Sequence, residues 1–409
     1  LSPEIPLGAK KKYLRQNKNW LIRKPESCSD RQIRGFARIK PGETVMLGRA
    51  NKDYDDIFNF KKEVATRHVA ISNSRGDLII RPLERDKTVK IVRLDDQDTR
   101  EQMGANRVKA MLEVRELLGG TVAELEESAA LELIVEVNQT LEDQPYRPLD
   151  KDKRPGGLLD LDDGPSPIVV GDLHGQVDNL LKILTENCLV QALQNNRALL
   201  CILGDAVHSE NLGEMEDMDS SILIMDLIFT LIKQFPANVF YLRGNHDSFS
   251  PDLSKNGVPQ GILMKKVLKE KRGPAYVEQM QKFYDLLPYM IVTSSFIGIH
   301  AGPPRPETSR KQIINISSKP DLARELTQNR IKRPYYPAGY GKSEIKTLRR
   351  TLGASKSTPV IVGHTPLDPF GSIWQNVGSI KNHHIVSSSH LSGPGLFIRV
   401  RGKMIPLMY

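Results

Sequence analysis

Cysteine is scarce: 409 residues hold three, Cys28, Cys188 and Cys201. Their spacing fits no thiolate zinc site. Cys188 and Cys201 stand in apolar runs, where a thiol is simply buried. Three unpatterned thiols predict a reducing compartment, the cytosol. Long apolar runs are absent too. No window approaches the ~20 residues of a membrane-spanning helix, so no transmembrane segment is expected. No secretory signal is visible in a chain that begins at Leu1. No stretch matches an RNA- or DNA-binding motif, and no specific nucleic-acid partner is expected.

Charge is plentiful but uneven. The formal net charge is +9. Leu1 to Ala50 alone carries twelve Lys and Arg against four Asp and Glu. The arm K-K-K-Y-L-R-Q-N-K-N-W-L-I-R-K reads as a solvated segment lying on its own chain. The length predicts two or three domains with sizeable cores.

The richest stretch runs from Ile168 to Asp247. It contains I-V-V-G-D-L-H-G-Q, C-I-L-G-D-A-V-H-S-E and F-Y-L-R-G-N-H-D. Each block is a short β-branched run followed at once by Gly and then by Asp, Asn or His. Runs this short, separated by helix-length spacers, predict buried parallel strands whose polar ends emerge together. F-I-G-I-H-A-G-P and V-I-V-G-H-T-P repeat the design around His300 and His364. Five strand ends then bring Asp172, His174, Asp205, Asn245, His300 and His364 to one crevice. Oxygen and imidazole donors without cysteine suit two divalent cations, Mn first, with Fe or Zn as alternatives.

These five ordered blocks, G-D-x-H-G, G-D-x-V, L-R-G-N-H-D, H-A-G and G-H-T-P, resemble the calcineurin-like metallophosphoesterases. The Leu-Arg-Gly-Asn-His form and the lone His before Thr-Pro are similar to the phosphoprotein phosphatase branch. The resemblance covers Pro165 to Tyr409. It implies an α/β fold, a β-sandwich of two sheets flanked by helices. It also implies that Asp172 and His174 hold a first metal, that Asp205 bridges, and that Asn245, His300 and His364 hold a second. The implied activity is hydrolysis of phosphomonoesters on Ser, Thr or Tyr of a phosphoprotein by a hydroxide held between the two metals. His246 stands at the family's general-acid position.

One block departs. The family's Val-Asp-Arg-Gly is replaced by Val207-His208-Ser209-Glu210. A histidine then stands where a carboxylate would orient His246, and the arginine that grips phosphate is missing. His208 facing His246 would lower the pKa of one of the two imidazoles. Arg333, Arg330 and Arg305 are the candidates to bind phosphate instead, ahead of Arg243, which is part of a strand. The acidic segment Ser209–Ser220 reads as a solvated loop, and N-H-H-I-V-S-S-S-H around His383 as a polar loop between closing strands. The departure beside an accessory domain is also similar to secreted effector phosphatases of intracellular bacteria, the Wip type, which would place the chain in a host cytosol. Two other functions stand beside the phosphatase: a phosphodiesterase or dinucleotide hydrolase of the same superfamily, and a weakly active adaptor.

Ahead of this region, short alternating strands up to Ile91 predict a small all-β domain. It resembles a forkhead-associated domain at Gly48-Arg49, Ala65-Thr66-Arg67-His68 and Asp86-Lys87-Thr88. Ala65, Thr66 and Asp86 replace residues that such domains use for phosphothreonine, so phosphopeptide binding is not expected. Arg107 to Leu141 shows apolar spacing of three and four, broken at Gly119-Gly120, and predicts a helical hairpin. The hairpin and the forkhead-like domain are the candidate surfaces for a protein partner. The expected organisation is 1–100 basic arm and β-sandwich, 101–145 hairpin, 146–164 linker and 165–409 catalytic domain.

Overall fold

In a computed structural model the chain divides into two compact units, Leu1–Leu117 with Leu184–Arg197, and Leu118–Ile183 with Ala198–Tyr409. The structure describes residues 4–5, 11–13, 20–23, 36–39, 42–49, 64–74, 77–84, 89–90, 108 and 110–409, except 162–163, 186–188, 212, 334–335, 369–370, 392 and 401. Cys28, Cys188 and the block Asp86-Lys87-Thr88 lie outside the described residues.

The first unit holds eight described strands: β1 (Glu4–Ile5), β2 (Lys11–Tyr13), β3 (Trp20–Arg23), β4 (Phe36–Ile39), β5 (Thr44–Leu47), β6 (Val69–Ser74), β7 (Asp77–Pro82) and β8 (Val89–Lys90). They form a four-stranded antiparallel sheet, β2-β7-β6-β5, and the pairs β1-β8 and β3-β4. In β5 the pleat alternates, with Val45 and Leu47 buried and their neighbours exposed. Arg49, the residue of the forkhead-like pattern that survives, spends its guanidinium locally. It donates to the Val64 carbonyl at 2.5 Å and to the Thr66 hydroxyl at 3.4 Å. A helix at 110–117 (α1) ends this part of the chain.

The second helix read from sequence, α2 (Glu127–Glu142), belongs to the other unit, so the two helical stretches fall to different units. Ala130, Leu133, Ile134, Val137 and Leu141 form its buried face. Within residues 146–164, read as a linker, Arg147, Asp150 and the run 156–159 are buried. Arg147 is buried and donates to the carbonyls of Pro155, Gly156 and Leu286. Strand β9 (Leu158–Asp160) then pairs with β13 (Met290–Val292). The cause is the guanidinium, whose several donors fix irregular backbone that Pro and Gly alone would leave loose.

Next come β10 (Ser166–Val170), α3 (Val177–Thr185), α4 (Leu189–Gln194), β11 (Ala198–Ile202), α5 (Asp219–Gln234), β12 (Val239–Tyr241) and α6 (Gln260–Leu286). After β13 follow β14 (Ile297–Ile299), α7 (Arg310–Ile314), α8 (Pro320–Gln328), α9 (Lys342–Thr351), β15 (Val360–Val362), β16 (Ile373–Gln375), β17 (His383–Val386), β18 (Gly395–Val400) and β19 (Lys403–Met408). Two sheets result, β12-β11-β10-β18-β19 and β16-β17-β15-β14-β13-β9. The strands β10, β11 and β12 are parallel to one another, as are β14, β15 and β17.

Alternation along single strands shows how the sheets stack. Ile291 joins Val169, Cys201, Phe240 and Phe397 in a core shared by both sheets. Its neighbours Met290 and Val292 point the other way, into a core with Ile313, Leu326, Ile345 and Leu348 from the α7–α9 layer. That is the sandwich flanked by helices that the family resemblance implied. Helix α2 packs on α5 and α6. Beside them Arg272 of α6 and Asp226 of α5 form a fully buried ion pair at 2.7 Å, and Asp226 also accepts from the Leu125 amide. Removing either partner would strand a charge in the core, so the pair fixes how these helices meet.

His383 and His384 are not in a polar loop. They lie on β17, buried among the strands. His383 Nδ1–H donates to the Val360 carbonyl at 3.3 Å, and its Nε2 accepts from the Tyr340 hydroxyl at 3.1 Å. A neutral ring satisfied at both nitrogens fits a β-core as well as an amide does. Burial pushes the His383 pKa down to about 3. The unfolded chain therefore takes up a proton below about 6.5 that the folded one refuses, and stability must rise with pH across that window. We expect His383→Gln to reduce the pH dependence of the unfolding free energy between pH 4 and 6 by about 1.36 kcal/mol per pH unit. Urea titrations at several pH values check this; an unchanged slope would show that His383 is not neutral in the fold.

Candidate metal centre

Each ligand-type residue sits just past a strand, and several stand on tight, left-handed turns. Asp172 and His174 follow β10, Asp205 follows β11, Asn245 and His246 follow β12, His300 follows β14 and His364 follows β15. His174, Asp205, His208 and His364 all adopt left-handed φ, between 45° and 66°. Non-glycine residues pay strain for this, and such strain gathers at functional sites. The glycines in the blocks have a steric reason. A Cβ on Gly244 would lie 2.0 Å from Asp205 Oδ1, and one on Gly363 would lie 2.1 Å from Asp172 Oδ1. Two carboxylates occupy the space that side chains there would fill.

The donors converge in two groups that share a residue. One ligand atom each from Asp172, His174 and Asp205 lies within 4.8 Å of the others, and so does one each from Asp205, His300 and His364. The rings are oriented for this. His174 Nδ1–H faces the carbonyls of Val207 and His208 at 3.3 and 3.2 Å, which leaves Nε2 as the inward nitrogen. His300 Nδ1–H donates to the Leu203 carbonyl at 2.9 Å, and its Nε2 lies 3.2 Å from Asp205 Oδ2 and 3.1 Å from Asn245 Oδ1. Backbone acceptors fixing the outer nitrogen are what metal-binding histidines normally have. His364 Nε2 is buried with no hydrogen-bond partner. An orphaned imidazole nitrogen on a ring grouped with Asp205 and His300 fits a cation, so the residues present suit the two metals that the family implies.

Electrostatics agree. Burial raises the Asp172 carboxyl to about 6, with Asp205 adding to the shift against His300 and His174. For Asp205 burial works against the charge, but His300, His246 and His174 outweigh it and hold this carboxyl well below the ordinary range. His300 is buried as well, yet Asp205 and Asp172 raise it to about 9. Two carboxylates packed this closely favour positive charge between them.

Behind the donors is a strut that the sequence reading missed. The Tyr241 hydroxyl donates to Asp247 Oδ1 at 2.7 Å and accepts from the Ala206 amide at 2.9 Å. Asp247 Oδ2 accepts from the amides of Gly244 and Asp205 at 2.7 and 3.2 Å. The loops after β11 and β12 are thereby tied together. Tyr241 was hidden inside an apolar run, and Asp247 looked like one more ligand-type residue.

His208 Nδ1 lies 3.2 Å from His246 Nδ1, and both rings are buried. The candidate arginines separate. Arg330 reaches the Thr365 hydroxyl at 3.4 Å, and its charge depresses the neighbouring His364 after burial and His300 have done so. Arg243 is turned to the Tyr284 carbonyl and lies over the Tyr284 ring, 3.7 Å from Asp285. Arg305 is paired with Glu325, and Arg333 bridges Tyr336 through its backbone. The acidic segment Ser209–Ser220 is more than a solvated loop. Ser209, Met215 and Met218 are buried, and the buried Gln260 amide donates to the carbonyls of Ser209 and Met215.

The Calcineurin-like phosphoesterase family profile matches residues 167–383, more than half of the 409 residues. Two curated relatives are the proteins named serine/threonine-protein phosphatase with EF-hands 1. The rat protein is 26% identical over 191 residues, 46% of this chain and 26% of its own length. The mouse protein is 27% identical over 192 residues, 47% of this chain and 25% of its own. The match spans about a quarter of these relatives' length. Among solved structures, a protein serine/threonine phosphatase from Saccharomyces cerevisiae, described as similar to human phosphatase PP5, superposes with a TM-score of 0.53 at 15% identity. That match covers 74% of this chain and 94% of the yeast chain, and it supports the fold. With that profile matched over more than half of its length, the chain belongs to the calcineurin-like phosphoesterase family.

Proposed function

We propose that this chain is a metal-dependent phosphoprotein phosphatase that hydrolyses phosphomonoesters on Ser, Thr or Tyr. The observation that carries the reading is the pair of donor groups meeting at Asp205, with the His246 ring alongside. The curated relatives, which are serine/threonine-protein phosphatases by name, favour a phosphoprotein substrate. Asp172 and His174 would hold one cation, Asn245, His300 and His364 the other, and Asp205 both. Mn suits this mix of carboxylate, amide oxygen and imidazole. When bound, such a pair supplies a nucleophile at neutral pH and neutralises phosphoryl oxygens.

The protein's own groups do the rest. In this reading His246 gives a proton to the leaving oxygen. Burial, with His174 and His300 against Asp205 and Glu210, pushes its pKa down to about 4, which makes it a strong donor once charged. His208 is also pushed down, to about 3, by burial and then by His246. It therefore stays neutral and can accept the Nδ1–H of His246, fixing the ring without offering it a negative charge. Arg330, beside His364 and Thr365, is the arginine we assign to bind phosphate in place of the missing one.

Three outcomes follow. With Mn2+ the purified chain should turn over phosphoserine, phosphothreonine or phosphotyrosine peptides faster than bis(p-nitrophenyl) phosphate; the reverse order would favour a phosphodiesterase. His246→Asn should leave metal content unchanged but slow phenyl phosphate by about 10²–10⁴-fold, and p-nitrophenyl phosphate much less, because only the poor leaving group needs the proton. Equal losses on both esters would remove His246 from that role. Under His208→Asp, a carboxylate beside His246 should raise its pKa and extend the alkaline limb of the kcat–pH profile by about one unit. An unmoved limb would show that the two rings are not coupled.

A further inference from the structure

Glu210 stands where the family pattern has a glycine, two residues past His208. Its half-buried carboxylate does not point to bulk solvent. Oε1 lies 3.9 Å from His174 Nε2 and 2.5 Å from Lys255 Nζ. The other nitrogen of His174 is committed to backbone carbonyls, so Nε2 is the atom left for a cation. Asp172 Oδ2 lies 3.8 Å from that same nitrogen. One free imidazole nitrogen thus faces two carboxylates, and His174, Glu210 and His246 form a third group whose ligand atoms lie within 4.8 Å of one another. His246 is tied through Nδ1 to His208, so within this group Glu210 and His174 are the natural pair.

The carboxylate comes with its own competitor. Lys255 projects from a turn closed by two backbone hydrogen bonds with Val258, and its side chain is 40% exposed. The oxygen nearest its ammonium is also the oxygen nearest His174 Nε2. An ammonium and a metal ion cannot both use one lone-pair direction of that oxygen at full strength. Divalent cations of the Mn type accept an extra oxygen donor readily, and ligand count sets their affinity.

We propose that Glu210 is a further protein donor to the cation held by Asp172, His174 and Asp205, and that Lys255 competes with that cation for the Glu210 carboxylate. The assignment rests on the two-cation reading above. It gives the altered second block a use: the chain lacks a carboxylate at His208 but supplies one two residues later, aimed at the metal side of the site.

Isothermal titration of Mn2+ into the metal-free full chain tests this without relying on turnover. Glu210→Gln should weaken one of two binding steps by about 10–100-fold, the range seen when even an outer partner of a ligand is lost, and leave the other step alone. Lys255→Met should strengthen the same step by up to about fivefold, the upper range for a partly exposed ion pair. That gain should vanish in the Glu210→Gln background, because the two residues act through one oxygen. A Glu210→Gln chain that binds both ions within twofold of the parent would overturn the ligand assignment. A Lys255→Met gain that survives without Glu210 would overturn the competition. A parent chain that binds fewer than two Mn2+ would overturn the two-cation reading beneath both.

Discussion

The structure turns on how Asp205 is held. Its carbonyl accepts from the amides of Leu173 and His174, both at 3.0 Å, which ties down the loop after β10. Its amide donates to Asp247, and its Oδ1 accepts from the His246 amide at 2.7 Å, which ties down the loop after β12. Its other carboxylate oxygen faces His300 from the second sheet. One buried residue with a left-handed backbone therefore connects four of the five strand ends, its own and those of β10, β12 and β14. A charge this deep is costly to bury alone, and here the surrounding rings and amides offset it. The same crowding explains the glycine at position 244, since any side chain there would collide with the carboxylate.

Function follows from the same constraint. Ends of parallel strands are a common place for ligands because backbone leaves the sheet there with its polar groups unspent. In this chain the two sheets bring such ends together from both sides, β10, β11 and β12 from one and β14 and β15 from the other. The result is a pair of donor groups with a shared carboxylate, an arrangement that suits two cations. The Tyr241–Asp247 strut lies behind these donors and keeps two of the loops in register.

Much of this was legible in the sequence, and the reasons are specific. Runs such as I-V-V and V-I-V are too short for helices and too apolar for surface strands, and a Gly followed by Asp or His marks where each ends. Those two facts collect Asp172, His174, Asp205 and His364, and the repeat of the same design adds Asn245 and His300. Proximity between loops is another matter. Nothing in the order of residues says that Lys255 meets Glu210, or that Tyr241 bonds across to Ala206. Arg330 could not be separated from Arg333 by pattern alone, because both lie in one short segment and only the fold sets Arg330 beside Thr365. His383 and His384 misled for a related reason: a histidine pair looks polar on paper, while a neutral ring with both nitrogens satisfied belongs in a core.

The central claim is that Asp205 lies between two bound cations. Crystals of the full chain grown with Mn2+, with data collected at the manganese absorption edge, address it directly. The account predicts two anomalous peaks about 3.5–4 Å apart with the Asp205 carboxylate between them. A single peak, or a pair lying away from Asp205, would contradict it.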